Sequence, residues 1–431
     1  MKRTFQSFVF GCRVNEAERA QIDLKLVEAG YHIDTHSPQV LIINTCAITG
    51  KAEREARQLI AQLKKRHPEA KIVITGCSAT YWHQHNSAYA GMADLLIPNT
   101  QKPRLIEAIE SKWGFDAPGL KDAENEPLDD KFRYSRRLLV KIQDGCHRFC
   151  SYCIVPYLRG QPQSVPIKQI VQYVNSFAPS PSEVILSAIN TESFGKDTGE
   201  SLLDLIAAMK EQTHVPRIGF GSIHPWSLNT DFLQFYKDTL VNEPRFLPFF
   251  HVPLQSCSNP VLKYMNRPYK IEDIKESLNA IVMSKPDVFI ATDIIVGFLG
   301  ETDELFEETY RQLVSLPISR IHVFRFSLRP HTAADTLKKT LFEVPENIKK
   351  ERAHRLIQLS NKKYAAFVKT LIGSASHALA IRYDEKQKGT RLLLHNQVEG
   401  FLPNKKVLPG KLLNVTIKSV KREKAVCELE S

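Results

Sequence analysis

A chain of 431 residues has room for two to four domains with buried cores, and a hydrophobic fraction of 43% is ordinary for a globular protein. No apolar run approaches the length that spans a bilayer, and Phe8-Val9-Phe10 is too short for a signal peptide. The net charge of +11 favours a polyanionic partner, nucleic acid first. The expected compartment is therefore the cytoplasm, with no membrane partner. There, eight cysteines point to metal or redox chemistry and not to a disulfide framework.

Residues 1–112 alternate strand-like and helix-like segments: strands at Phe5–Phe10, Val40–Asn44, Lys71–Thr75 and Leu95–Ile97, helices at Glu16–Glu28 and Ala52–Lys65. That alternation predicts a doubly wound parallel sheet. Cys12, Cys46 and Cys77 each fall just after a strand, so all three belong at the carboxyl edge, where such sheets bind ligands. Three unrelated core cysteines would be the bland alternative. Residues 113–132, rich in Asp, Glu, Pro and Gly, read as an exposed linker.

Residues 133–343 carry six further strand candidates, Leu138–Ile142, Glu183–Ala188, Arg217–Gly221, Pro248–Val252, Val288–Ile294 and Arg320–Phe326. Six are too few for a closed eight-strand barrel and fit an open partial (β/α)6 barrel, with its chemistry at the carboxyl ends of the strands. The first strand delivers Cys146-His147-Arg148-Phe149-Cys150-Ser151-Tyr152-Cys153. A structural zinc site takes four protein ligands, whereas three thiolates on an iron–sulfur cluster leave one iron open to a substrate or cofactor. A zinc knuckle that recruits His147 or a remote residue remains the alternative.

This CxxxCxxC loop resembles that of the radical S-adenosylmethionine (SAM) enzymes. The segments Phe10-Gly11-Cys12-Arg13-Val14-Asn15-Glu16-Ala17-Glu18, Ile43-Asn44-Thr45-Cys46-Ala47-Ile48-Thr49 and Thr75-Gly76-Cys77 are similar to the amino-terminal domain of the methylthiotransferases, as is Ile154-Val155-Pro156-Tyr157-Leu158-Arg159-Gly160 after the loop. The resemblance covers essentially the whole chain. Within the family the wording is most similar to the branch acting on N6-threonylcarbamoyladenosine 37 of tRNA; the isopentenyladenosine and ribosomal-protein branches differ in the first motif.

The resemblance implies two [4Fe–4S] clusters, one held by Cys146, Cys150 and Cys153 and an auxiliary one held by Cys12, Cys46 and Cys77. It implies one SAM as the source of a 5′-deoxyadenosyl radical and another as methyl donor, with a methylthio group inserted at C2 of the adenine. The partners implied are the tRNA anticodon loop, an electron donor such as flavodoxin or ferredoxin, and a sulfur donor. With cofactor-borne chemistry, no Ser, His or Asp is expected to be catalytic, and His224, His251 and His322 read as core or loop residues. Polar residues at strand ends are the candidates for holding SAM: Tyr152, Asn190, Glu192, Gln255, Asp293 and Arg329. The sequence departs from the family pattern at Cys257, usually glycine, at Gln161 and Gln163, where arginine is common, and at Ser187–Asn190, which lacks the usual glycine.

Residues 344–368 form a basic helix-like segment. Residues 369–431 alternate short apolar segments with turns and predict a small antiparallel β-barrel. They hold twelve Lys and Arg against six Asp and Glu. This suits an RNA-binding module and resembles a TRAM domain, with Lys405, Lys406, Lys411, Lys418, Lys421 and Arg422 as candidate RNA contacts. A non-catalytic RNA-binding protein with structural metal is the competing reading from another class.

Overall fold

The structure is a computed structural model that describes residues 3–114, 136–421 and 423–430. From residue 115 on, the expected linker lies outside the described residues. Among the latter, no helix is long and apolar enough to cross a membrane.

The amino-terminal part is a sheet of five parallel strands, β1 (Arg3–Val9), β2 (Tyr31–Ile33), β3 (Val40–Thr45), β4 (Lys71–Gly76) and β5 (Leu95–Ile97), in the order 2-1-3-4-5. Val40–Ile43 and Ile72–Ile74 are buried on both faces, which is why these strands read as unbroken apolar runs. Helices α1 (Arg13–Glu28) and α4 (Leu105–Trp113) cover one face through Ile22, Leu26 and Ile109. Helices α2 (Gly50–Arg66) and α3 (Cys77–Gln84) cover the other through Ile60, Leu63 and Trp82. The strand order reverses between β1 and β3, and ligands of such sheets sit at the carboxyl ends beside that reversal. Strand β2, three residues long, is too short to leave a periodic signal and was not anticipated.

The middle part holds β6 (Arg137–Asp144), β7 (Gln163–Ser164), β8 (Glu183–Ala188) and β9 (Ile218–Phe220) in one sheet, and β10 (Phe249–His251), β11 (Phe289–Val296) and β12 (Arg320–Arg325) in another. Apart from the short antiparallel β7, all are parallel. The two sheets meet at β9 and β10, where Leu247 N donates to Ile218 O at 2.8 Å and Ile223 N to His251 O at 2.9 Å. Regular pairing lapses there because Phe249 N turns back to Leu247 O at 2.7 Å instead of reaching β9. The six parallel strands form the expected open barrel. Leu186, Phe250, Ile294 and Ile321 point outward under the helices, and their neighbours Ser187, His251, Asp293 and His322 point into the barrel. Cys257 is fully buried in the outer core.

The carboxyl-terminal part is a closed barrel of β13 (Ala375–Asp384), β14 (Gly389–Leu393), β15 (Glu399–Pro403), β16 (Leu412–Lys421) and β17 (Lys424–Leu429), ordered 13-14-15-17-16. The sequence suggested four of these; β15 hides behind its Gly400 and Pro403. The long helix Glu346–Thr370 leads into it. Val368, Ala380, Leu392 and Val415 share one core with Ile185, Leu247, Phe249 and Phe289, so the small barrel closes the amino-terminal end of the large one. Buried Arg217 fastens this junction. It donates to Glu183 Oε2, His377 O and Leu394 O, each at 2.9 Å.

Candidate active site: two sets of three cysteines

Cys12, Cys46 and Cys77 follow β1, β3 and β4, the three central strands, and meet at one edge. Gly11 makes the approach possible. Its φ is +98°, and a Cβ there would lie 2.6 Å from Cys46 Cβ and 2.7 Å from Cys46 Sγ. Cys12 caps the start of α1 and Cys77 opens α3, so two positive helix ends face the set. Asn99 Nδ2 lies 3.8 Å from Cys77 Sγ.

Behind the set lies a buried ionic network that joins the amino-terminal sheet to the large barrel. Arg159 donates to Glu18 Oε1 at 2.8 Å, Asp144 Oδ1 at 2.7 Å and Asn15 Oδ1 at 2.6 Å. Lys102 and Lys141 also reach Glu18, at 2.6 and 3.1 Å. Three cations against two carboxylates leave surplus positive charge, and the Cys77 thiol stands in the field of Arg159 and Lys102. An anionic group on these cysteines would be complemented. Burial pushes the Glu18 carboxyl up, but Arg159, Lys102 and Lys141 pull harder and hold it well below the usual range. Its contribution to stability is therefore complete above the ordinary carboxylate range, about pH 4–5, and is lost as pH falls below it. Glu18→Gln leaves buried cations uncompensated. The expected loss is about 3–5 kcal/mol, read as a lower denaturant midpoint in urea unfolding.

Cys146, Cys150 and Cys153 lie in the loop after β6. The turn into it needs Gly145, at φ +72°, because a Cβ there would sit 2.1 Å from Gln161 O. Arg148 N donates to Cys146 Sγ at 3.5 Å, and the Arg267 guanidinium lies 3.7 Å from Cys150 Sγ. Arg267 is held from behind by Pro253 O at 2.6 Å and lies over the Trp226 ring.

Cys12 and all three loop cysteines line one cavity of about 620 Å³ inside the large barrel. Of the residues expected to hold SAM, Tyr152, Gln255 and Asp293 line it. The other three are engaged elsewhere. Asn190 is buried against Ser193, Glu192 is paired with Arg148 and Lys196, and Arg329 turns away to Glu53 on α2 at 2.9 Å. The histidines read as core or loop residues also reach the cavity. His251 bridges Ser222 Oγ at 2.7 Å and Asp293 Oδ1 at 2.9 Å, and burial pushes His224 down to about 3. Sequence reasoning missed Arg13, Arg148, Trp226 and Arg267; only Arg13, next to Cys12, and Arg148, between Cys146 and Cys150, carried a local signal.

A groove of about 460 Å³ shares Arg13, Phe249 and His322 with this cavity and runs to Gln397, Glu399 and Lys424 of the small barrel. Arg137 and Arg320 line it as well. Lys405, Lys406, Lys411, Lys418 and Lys421 are exposed on the small barrel and do not line the groove. Arg422 lies outside the described residues.

The donor sets fit iron–sulfur clusters. Burial, and then the neighbouring thiols Cys77 and Cys150 respectively, push Cys46 and Cys153 up to about 12, so as free thiols they stay protonated. Ligation to iron replaces those protons. Among the described residues no three Cys, His, Asp or Glu side chains stand close enough to share a single metal ion. Cluster ligands bind separate irons, so their sulfurs stand farther apart than those around one tetrahedral ion.

Comparison with known proteins agrees with this architecture. Residues 140–313 match the radical SAM superfamily, and residues 4–98 match a family described as uncharacterized protein family UPF0004. The chain is 34% identical to the threonylcarbamoyladenosine tRNA methylthiotransferase MtaB of Aquifex aeolicus, over 97% of this chain and 100% of that one. It is 31% identical to a tRNA-2-methylthio-N(6)-dimethylallyladenosine synthase of Endomicrobium trichonymphae, over 89% and 88%. The radical SAM methyltransferase TsrM of Kitasatospora setae has the same fold at TM-score 0.55 and 13% identity, over 78% of this chain and 77% of that one. The chain belongs to the radical SAM methylthiotransferases of the MtaB type.

Proposed function

We propose that this enzyme, in the cytoplasm, inserts a methylthio group at C2 of N6-threonylcarbamoyladenosine 37 in the anticodon loop of tRNA. Like its family it works with SAM and [4Fe–4S] clusters. The observation that carries the reading is the single cavity lined by both Cys12 and the CxxxCxxC loop, because sulfur insertion needs hydrogen removal and sulfur delivery at one carbon.

In this reading Cys146, Cys150 and Cys153 hold the cluster that binds SAM, and Cys12, Cys46 and Cys77 hold the one that presents sulfur. The bound cofactors supply one-electron cleavage of one SAM and methyl transfer from another. The C2–H of adenine is not acidic, so no side-chain base is asked to remove it. The protein's own groups bind, orient and exclude water. Arg267 sets a fixed positive charge beside Cys150 and compensates the thiolates there. Asp293, held by His251, and the Gln255 side are polar groups for the amino acid and ribose parts of SAM. Tyr152, packed edge-on against Phe298, is a wall for the adenine. The groove toward the small barrel, lined by Arg13, Arg137, Arg320 and Lys424 against Glu399 and Glu423, keeps a positive excess that suits the phosphates of the anticodon strand. A flavodoxin or ferredoxin supplies electrons, and a separate donor renews the sulfur.

The threonylcarbamoyl substrate is favoured by the Gly11-Cys12-Arg13-Val14-Asn15 wording and by the relative's name. The test is mass spectrometry of tRNA nucleosides from a strain lacking the gene, with and without its restoration. Restoration is expected to bring back the methylthio form of threonylcarbamoyladenosine. Recovery of methylthio-isopentenyladenosine would move the substrate to the other tRNA branch. No change in any nucleoside would overturn the tRNA reading.

A further inference from the structure

Resting on that substrate, the cavity offers a discriminating contact. A threonylcarbamoyl group carries a carboxylate beyond N6 of the adenine, whereas an isopentenyl group carries only carbon. A partly desolvated carboxylate needs a cation. Among the described residues, Arg13, Arg148 and Arg267 are the Lys and Arg side chains that line the cavity. Arg148 is committed to Glu192. Arg267 is buried and fixed between Pro253 O and Cys150 Sγ. Arg137, Arg320 and Lys424, along the adjoining groove, are paired with Glu183, Glu423 and Glu399.

Arg13 is different. It forms no ion pair among the described residues, although Glu16, Glu183 and Asp293 lie near enough to favour its charge, and it is exposed where cavity and groove meet. One Nη donates to Gly221 O at 2.9 Å, and the guanidinium stands 5.9 Å from the Phe249 ring centroid, which fixes the side chain in place. It also follows Cys12 directly. C2, N1 and N6 lie along one edge of adenine, so a base that presents C2 to the Cys12 set carries its N6 substituent along the same side.

We propose that Arg13 binds the carboxylate of the threonylcarbamoyl group and separates this substrate from adenosines with an apolar N6 group. A planar fork matches a carboxylate with two parallel hydrogen bonds. A site built for such a group rejects analogues that leave its charge unpaired.

The test is a binding cycle read by fluorescence anisotropy on cluster-loaded protein, without turnover. The probes are anticodon stem-loops carrying threonylcarbamoyladenosine, its neutral methyl ester, or isopentenyladenosine. The wild-type chain is expected to prefer the carboxylate over the ester by about tenfold or more, the size of a charge-assisted hydrogen bond. R13Q is expected to bring that ratio close to one with iron content unchanged. R13M, which keeps an apolar stem against Phe249, is read in the same way should R13Q load iron poorly. A wild-type ratio retained in both variants would remove Arg13 from the role while leaving the substrate intact. Equal wild-type binding of the threonylcarbamoyl and isopentenyl stem-loops would instead overturn the substrate, and this proposal with it.

Discussion

Cys150→Ala is expected to reduce SAM cleavage to 5′-deoxyadenosine to background, measured by chromatography after chemical reduction. Cys150 is the buried member of its set, with the Arg267 guanidinium 3.7 Å from its sulfur. Alanine removes one of three thiolates and leaves that guanidinium beside an apolar group. Cys257 cannot substitute, because it is sealed in the outer core and does not line the cavity. A cluster bound by two thiolates has lost the donor set that leaves a single iron open. Deoxyadenosine formed at the normal rate would remove Cys150 from the cluster.

Cys46→Ala should separate the two halves of the reaction. Cys46 sits at the carboxyl end of β3 and packs against Gly11 without lining the large cavity. Its loss takes a ligand from the amino-terminal set and leaves the CxxxCxxC loop, Arg267 and the cavity wall in place. Deoxyadenosine should still form, while methylthio nucleoside falls below detection. Normal methylthio product from this variant would refute the assignment of sulfur delivery to the amino-terminal set.

Such assignments can be proposed from sequence because ligand chemistry is written in residue type and spacing. Three thiolates in eight residues mean much the same in any fold, and β/α alternation puts Cys12, Cys46 and Cys77 at one sheet edge before any contact is known. What escaped depends on how the parts dock. Glu18 and Arg159 are 141 residues apart and meet only when the amino-terminal sheet lies on the large barrel. Arg329 was placed near SAM because it follows the sixth strand, but its side chain answers the buried charge of Glu53. The groove cations Arg137 and Arg320 stand at strand starts, where sequence reasoning expects no ligand; they matter because the small barrel packs against that end. The exposed lysines of that barrel drew attention by charge alone, a signal that does not say which way a side chain faces.

The most direct test of the whole account is the iron and acid-labile sulfide content of anaerobically purified protein, compared with a variant in which Cys12, Cys46 and Cys77 are all alanine. Two cubane clusters predict about eight irons per wild-type chain and about four in the variant, with SAM cleavage retained. Stoichiometric zinc in place of iron, or equal iron in both proteins, would contradict it.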